Sequence, residues 1–132
     1  MEPDLRQNLI PLLRKLAVEN PQNVKLGFLF ADHLLEFGYL DEAENQLRKL
    51  ERENSNYLSK AGIARIHFLR NEFKICKTLT KELIDSGYSD LNLMLLYAKA
   101  LFNEGLVEEA HLIFVKILND NPQLGPEEKL IN

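Results

Sequence analysis

The sequence predicts an all-α chain of antiparallel helix-turn-helix repeats, about three full repeats behind an N-terminal half repeat, and three observations carry that expectation. The first is recurrence. Gly38-Tyr39-Leu40-Asp41-Glu42-Ala43 returns as Gly105-Leu106-Val107-Glu108-Glu109-Ala110, with a degraded echo, Asn71-Glu72-Phe73-Lys74-Ile75-Cys76, between them. Ala43, Cys76 and Ala110 are spaced by 33 and then 34 residues, and self-similarity at such a period marks a stacked repeat architecture. The second is the helical spacing of apolar residues in each segment between turns. The third is the shortness of the connections, which makes consecutive helices antiparallel neighbours.

Seven helices follow in order. From Asp4 to Asn20, Leu5, Leu9, Leu12, Leu13 and Leu16 recur on one face, with Asp4 as a capping residue and Pro21 as a stop. Pro11 removes a backbone donor inside that stretch and predicts either a kink or a firm start near Leu9. From Gln22 to Phe37 the set Leu26, Phe28, Leu29, Phe30, Ala31, Leu34 and Leu35 exceeds one face, so this helix is expected to be buried on more than one side. Gly38 ends it in the left-handed conformation. Asp41 and Glu44 have capping-box spacing ahead of Ala43, Leu47 and Leu50, in a helix running to about Glu53. The pair recurs from Tyr57 to Arg70 and Glu72 to Ser86, ending at Gly87, and again from Leu91 to Glu104 and Val107 to Asp120, closed by Pro122. Residues 127–132 are too few to form a stable helix alone.

With 132 residues, 45% of them hydrophobic and 27% charged, the chain has the balance of one globular domain. A net charge of −4, with Lys and Arg scattered among acidic residues, offers no basic footprint for nucleic acid. A single cysteine, Cys76, excludes an internal disulfide framework and points to a reducing, cytoplasmic setting. Charged residues interrupt every long apolar run before the roughly 20 residues a spanning helix needs, so no membrane association is expected.

The recurring residues resemble the tetratricopeptide repeat, a helix-turn-helix unit of about 34 residues. Phe30-Ala31, Leu34, Ala43, Leu47 and Leu50 carry the resemblance in the first full unit. Ile63-Ala64, His67, Cys76, Thr80 and Leu83 carry it in the second, and Tyr97-Ala98, Leu101, Gly105, Ala110, Phe114, Ile117 and Pro122 in the third, which is the best match. Leu9, Leu13, Leu16 and Pro21 match the second half of an earlier unit. The early tryptophan of the pattern is replaced by Gly27, Lys60 and Met94, and the closing proline by Ser55 and Tyr88. The resemblance implies a right-handed α-solenoid over residues 1–124. Its half repeat is 4–21, its repeats run over about 24–56, 57–90 and 91–123, and residues 125–132 form a short tail, the start of a capping helix or a linker. Ala31, Ala64 and Ala98, and likewise Ala43, Cys76 and Ala110, are expected to be small because helices cross closely there.

The resemblance also implies a non-catalytic scaffold that binds a peptide or partner helix in a groove formed by the first helix of each unit. The groove positions are Phe28, Asp32 and Leu35, then Ala61, Arg65 and Phe68, then Leu95, Lys99 and Phe102. Leu35, Phe68 and Phe102 form an apolar row, Phe28, Ala61 and Leu95 another, and Asp32, Arg65 and Lys99 run between them. An exposed apolar patch rimmed by charge marks an interaction surface, with Arg65 and Lys99 selecting acidic groups. The plainer reading is that the same residues complete the core or are covered by a neighbouring domain, with Asp32 and Arg65 forming only a modest surface ion pair. Family members that grip chaperone C-terminal carboxylates do so with Lys and Asn. The matching places here hold Phe28, Asp32, Gly62, Asn92 and Leu96, so that ligand is not expected. Two further readings stand beside the scaffold: self-association into a homo-oligomer through the terminal helices, and an accessory adaptor domain of a larger enzyme or assembly factor.

No other chemistry is expected of the chain, and no cofactor. His33, His67 and His111 lack metal-ligand spacing. Cys76 takes the place of a small packed residue, which predicts an inert buried thiol. Glu42, Glu108 and Glu109 stand at helix starts, where the helix dipole accounts for them.

Overall fold

The computed structural model of the chain describes residues 5–54 and 56–125, with side chains from Asn8 onward. Among these residues there are seven α-helices, one 3-10 turn and no strand. The helices are α1 (Leu5–Glu19), α2 (Val24–Glu36), α3 (Leu40–Asn54), α4 (Tyr57–Leu69), α5 (Phe73–Asp85), α6 (Leu91–Asn103) and α7 (Val107–Asp120), followed by the turn Pro122–Leu124. None of the described helices is long and apolar enough to cross a membrane. The expected Asp4 cap, Ser55 and the tail at 126–132 lie outside the described residues.

The turn between the two helices of a pair explains the recurring motif. Three residues connect α2 to α3, α4 to α5 and α6 to α7, and the fifth position of each closure is left-handed: Gly38 at φ 85°, Asn71 at φ 64° and Gly105 at φ 88°. The Tyr39 amide donates to the Leu34 carbonyl at 2.8 Å and the Gly38 amide to Leu35 at 3.2 Å. Glu72 to His67 (2.8 Å) with Asn71 to Phe68 (3.0 Å), and Leu106 to Leu101 (2.9 Å) with Gly105 to Phe102 (3.1 Å), repeat the pattern. These are the paired bonds of a Schellman motif, which satisfies the carbonyls orphaned at a helix end. Asn71 replaces glycine in the middle unit because asparagine tolerates this region better than other side chains. There His67 and Glu72 also occupy the two positions where the motif favours an apolar contact, and His67 Nδ1 donates to Glu72 at 2.9 Å instead.

The starts of the helices differ from the sequence expectation. Asn23, outside the expected apolar pattern, caps α2 by accepting from the Leu26 amide at 3.0 Å. Asp90 likewise accepts from Leu93 at 3.3 Å at the start of α6. Helix α3 starts earlier than the Asp41–Glu44 spacing suggests: the Ala43 amide bonds the Tyr39 carbonyl at 2.9 Å, so α3 begins at Leu40 and Asp41 falls inside its first turn. There its charge meets the helix dipole. Pro11 lies within a continuous α1 on its exposed side, and no later start at Leu9 is needed.

The chain forms two compact units, divided between Ile66 and His67 within α4. In the N-terminal unit α1 packs on α2 and α2 on α3, burying Phe30, Ala31, Leu34, Leu35, Ala43, Leu47 and Leu50. The leucine and phenylalanine side chains among them contribute about 1.5–3 kcal/mol each when fully buried. The buried face of α1 is Ile10, Leu13 and Ala17, with Leu9 and Leu16 half-buried; of the expected leucine stripe Leu12 faces solvent at 52% exposure. Helix contacts are closest at two glycines. A Cβ on Gly27 would stand 2.8 Å from Leu50 Cδ2, and one on Gly62 would stand 2.8 Å from Leu47 Cδ1.

A bidentate pair also ties α1 to α3: Arg14 Nε donates to Glu42 Oε2 at 2.7 Å and Nη2 to Oε1 at 2.8 Å. The Arg14 hydrogen bonds hold the Glu42 carboxyl below its ordinary value, against the opposing effect of partial desolvation. In the C-terminal unit α6 packs between α5 and α7. Met94, Ala98, Leu101, Ala110, Phe114 and Ile117 form its core, with Leu106, Ile113 and Leu124 packed against it. The expected small positions are all buried: Ala31, Ala64 and Ala98 in the first helices, and Ala43, Cys76 and Ala110 in the second.

Replacing Gly105 by Ala should destabilise the chain by about 1–2 kcal/mol, the cost of a Cβ in the left-handed region. Asn71→Gly should move stability by less than about 1 kcal/mol, since reduced strain is offset by a freer unfolded chain; chemical denaturation monitored by circular dichroism checks both. Because the folded value of Glu42 is depressed, its pair with Arg14 stabilises the fold above the ordinary carboxylate value and the benefit disappears as pH falls through the depressed one. The stability difference between wild type and Glu42→Gln should therefore be constant near neutrality and vanish in strong acid, as followed by denaturation at a series of pH values.

Candidate partner-binding surface

The first helices of the repeats, α2, α4 and α6, carry the nine residues singled out by sequence. Positions separated by four and then three residues lie on one helical face, so each trio forms a short stripe. In the N-terminal unit Phe28 is half-buried, Asp32 exposed, Ala61 half-buried and Arg65 exposed. Leu35 does not belong to an exposed row. At 6% exposure it is part of the core, and its carbonyl serves the Gly38 closure. The expectation that it lines a surface is corrected on that ground, because α2 turns enough apolar residues inward to bury the last of the stripe. Asp32 and Arg65 are both exposed, and no ion pair joins them among the described residues.

In the C-terminal unit Phe68 is half-buried and meets Phe73 edge to face, with ring centres 5.2 Å apart at 69°. Such a pairing adds about 0.5–1.5 kcal/mol beyond area burial, so the half-buried Phe68 fastens α4 to α5. Leu95 is half-buried against the core of the unit. Lys99 is half-buried and has no ion-pair partner among the described residues. Phe102, one turn further along α6, is 37% exposed. Next to it Glu104 caps the helix and accepts from Lys77 Nζ of α5 at 2.6 Å. That pair ties the end of α6 to α5, while the second Glu104 oxygen is buried without a hydrogen-bond partner among the described residues. Sequence reading missed the Lys77–Glu104 pair because the two residues are 27 apart on different helices.

Three exposed leucines on first helices were also missed: Leu29, Leu58 and Leu69. Leu58 and Leu69 stand seven residues before and four after Arg65, on the side of α4 that Arg65 occupies, and that spacing was the available signal. Leu29 was assigned to the interior because α2 looks apolar all round. A cavity of about 250 Å³ between α6 and α7, lined by Ser89, Leu91, Met94, Lys116, Ile117, Asp120 and Asn121, contains none of the nine positions.

The reactive side chains are placed without chemistry in common. Among the described residues no cluster of His, Cys, Asp or Glu could hold a metal ion. His33 Nδ1 bonds the Leu29 carbonyl at 2.9 Å and His67 is engaged by Glu72. Cys76 is fully buried, and desolvation pushes its thiol up to about 12, which leaves almost no nucleophilic thiolate at neutral pH. Glu108 and Glu109 stand in the first turn of α7.

No family model matches the sequence, and no curated protein matches it. Among solved structures the chain is similar to YrrB, described as a TPR protein with an unusual peptide-binding site, with a TM-score of 0.69 and 16% sequence identity. The likeness covers 83% of this chain and 57% of YrrB, so the chain spans little more than half of that structure. That likeness assigns the chain the tetratricopeptide-repeat fold.

Proposed function

We propose that the chain is a non-catalytic scaffold that binds a peptide or helical segment of a partner protein through the open faces of its first helices. The observation that carries this reading is a fold shared with a TPR protein that has a peptide-binding site. It is supported by Phe102, an aromatic side chain held partly open to solvent beside an uncompensated Lys99. In the N-terminal unit Phe28, Asp32, Ala61 and Arg65 supply the contacts; in the C-terminal unit Phe68, Leu95, Lys99 and Phe102 do so. Apolar groups give the affinity and the unpaired cations select acidic groups in the ligand. The exposed, unpaired Asp32 disfavours a terminal carboxylate, which argues against chaperone tails as the ligand. The single, buried cysteine is in keeping with a cytoplasmic setting.

Selection from a random peptide display library should enrich peptides carrying an apolar residue near Asp or Glu. Binding of the selected peptides should fall about tenfold or more in Lys99→Glu and in Phe102→Ser, the scale of losing one anchor at an interface, with helicity unchanged by circular dichroism. Peptides that bind both variants as tightly as wild type would show that α6 is not the reading face.

A further inference from the structure

We propose that α7 pairs with the α7 of a second copy of this chain, antiparallel and about a two-fold axis at Leu112. One face of this helix, Ala110, Phe114 and Ile117, is buried in the C-terminal unit. The other presents Leu112 at 69% exposure, a value that only Val18 exceeds among the large exposed hydrophobic side chains. A lone exposed leucine is ordinary; what surrounds Leu112 is not neutral. Glu108 lies four residues before it and Lys116 four after, both exposed and both on the same side of the helix. Half-buried Val115 and exposed Asn119 complete the face.

This charge pattern is its own complement under one symmetry. In an antiparallel pair centred on Leu112, Glu108 stands opposite Lys116 of the second copy and the contact occurs twice, as an isologous interface requires. A parallel pair would set Glu108 against Glu108 and Lys116 against Lys116, which like-charge repulsion disfavours. Glu109, on the edge of the same face, adds a second carboxylate near the opposing ammonium. Glu108 and Glu109 have no ion-pair partner among the described residues. Lys116 has Asp120 of its own helix at 3.3 Å, but both side chains are more than half exposed and such a pair is weak. His111 and Asp120 flank the face from the same helix. The contact is one helix wide and falls short of the roughly 800 Å² per partner of a standard interface, so the dimer is a weak one. It does not depend on the peptide-binding reading, which uses α2, α4 and α6.

Sedimentation equilibrium of the full chain at low salt, from about 10 μM to about 1 mM, should show the average mass rising toward twice that of the monomer. Leu112→Asp should abolish the rise with helicity intact, because it buries a charge at the two-fold axis. Glu108→Lys and Lys116→Glu should each weaken association about tenfold through two like-charge contacts, and the double reversal should restore it. A wild-type chain that stays monomeric across the range, association that survives Leu112→Asp, or a double reversal no better than the single ones would each overturn the proposal.

Discussion

Each helix pair depends on bringing a chain to a stop and reversing it within three residues. The carbonyls at the end of the first helix must be satisfied while the backbone turns, and the double closure from the residues at C′ and C″ does both at once. It demands a left-handed residue at one position, and Gly38, Asn71 and Gly105 meet that demand. The reversal then fixes how closely the second helix returns, which is why Ala43, Cys76 and Ala110 are buried and small a few residues later. Turn geometry and helix packing are therefore one constraint seen at two distances. The middle pair satisfies it with polar parts, an asparagine in the turn and a histidine bonded to a glutamate across it.

The helix pairs were legible because their cause is local. Glycine at the closure, alanine at the crossing and apolar residues at helical spacing act within a few residues of one another, so the sequence carries them openly. The caps at Asn23 and Asp90 are equally local, but they precede segments whose apolar pattern drew the boundary elsewhere. Asp41 has the spacing of a cap, but α3 begins one residue earlier, at Leu40, and takes Asp41 into its first turn. On α1 the leucine spacing named Leu13 as buried but missed Ile10 and Ala17, which complete the buried face while Leu12 faces water.

The candidate surface was legible only in part, for a reason rooted in the same architecture. A first helix packs on several neighbours, so apolar residues cover most of its circumference and periodicity cannot separate those facing inward from those facing out. Leu35 and Leu29 changed places on this account: one is buried and the other exposed. Charged residues were read more reliably, since Asp32 and Arg65 cannot be buried unpaired at acceptable cost. The Lys77–Glu104 pair that steadies α6 beside Phe102 joins separate helices and leaves no trace in local pattern.

Gly27 and Leu50 share one volume. The space that a side chain at residue 27 would occupy is filled by the leucine methyl, and the Gln46 amide reaches the Gly27 carbonyl at 3.4 Å from the same side. A side chain added at 27 would meet the ends of both Leu50 and Gln46, so it is accepted only as far as those two side chains yield, and cutting back Leu50 alone opens a void beside the glycine. Their substitution energies are bound to be non-additive: a side chain placed at 27 and a truncation at 50 each read differently in the presence of the other, because α2 and α3 meet over that one volume.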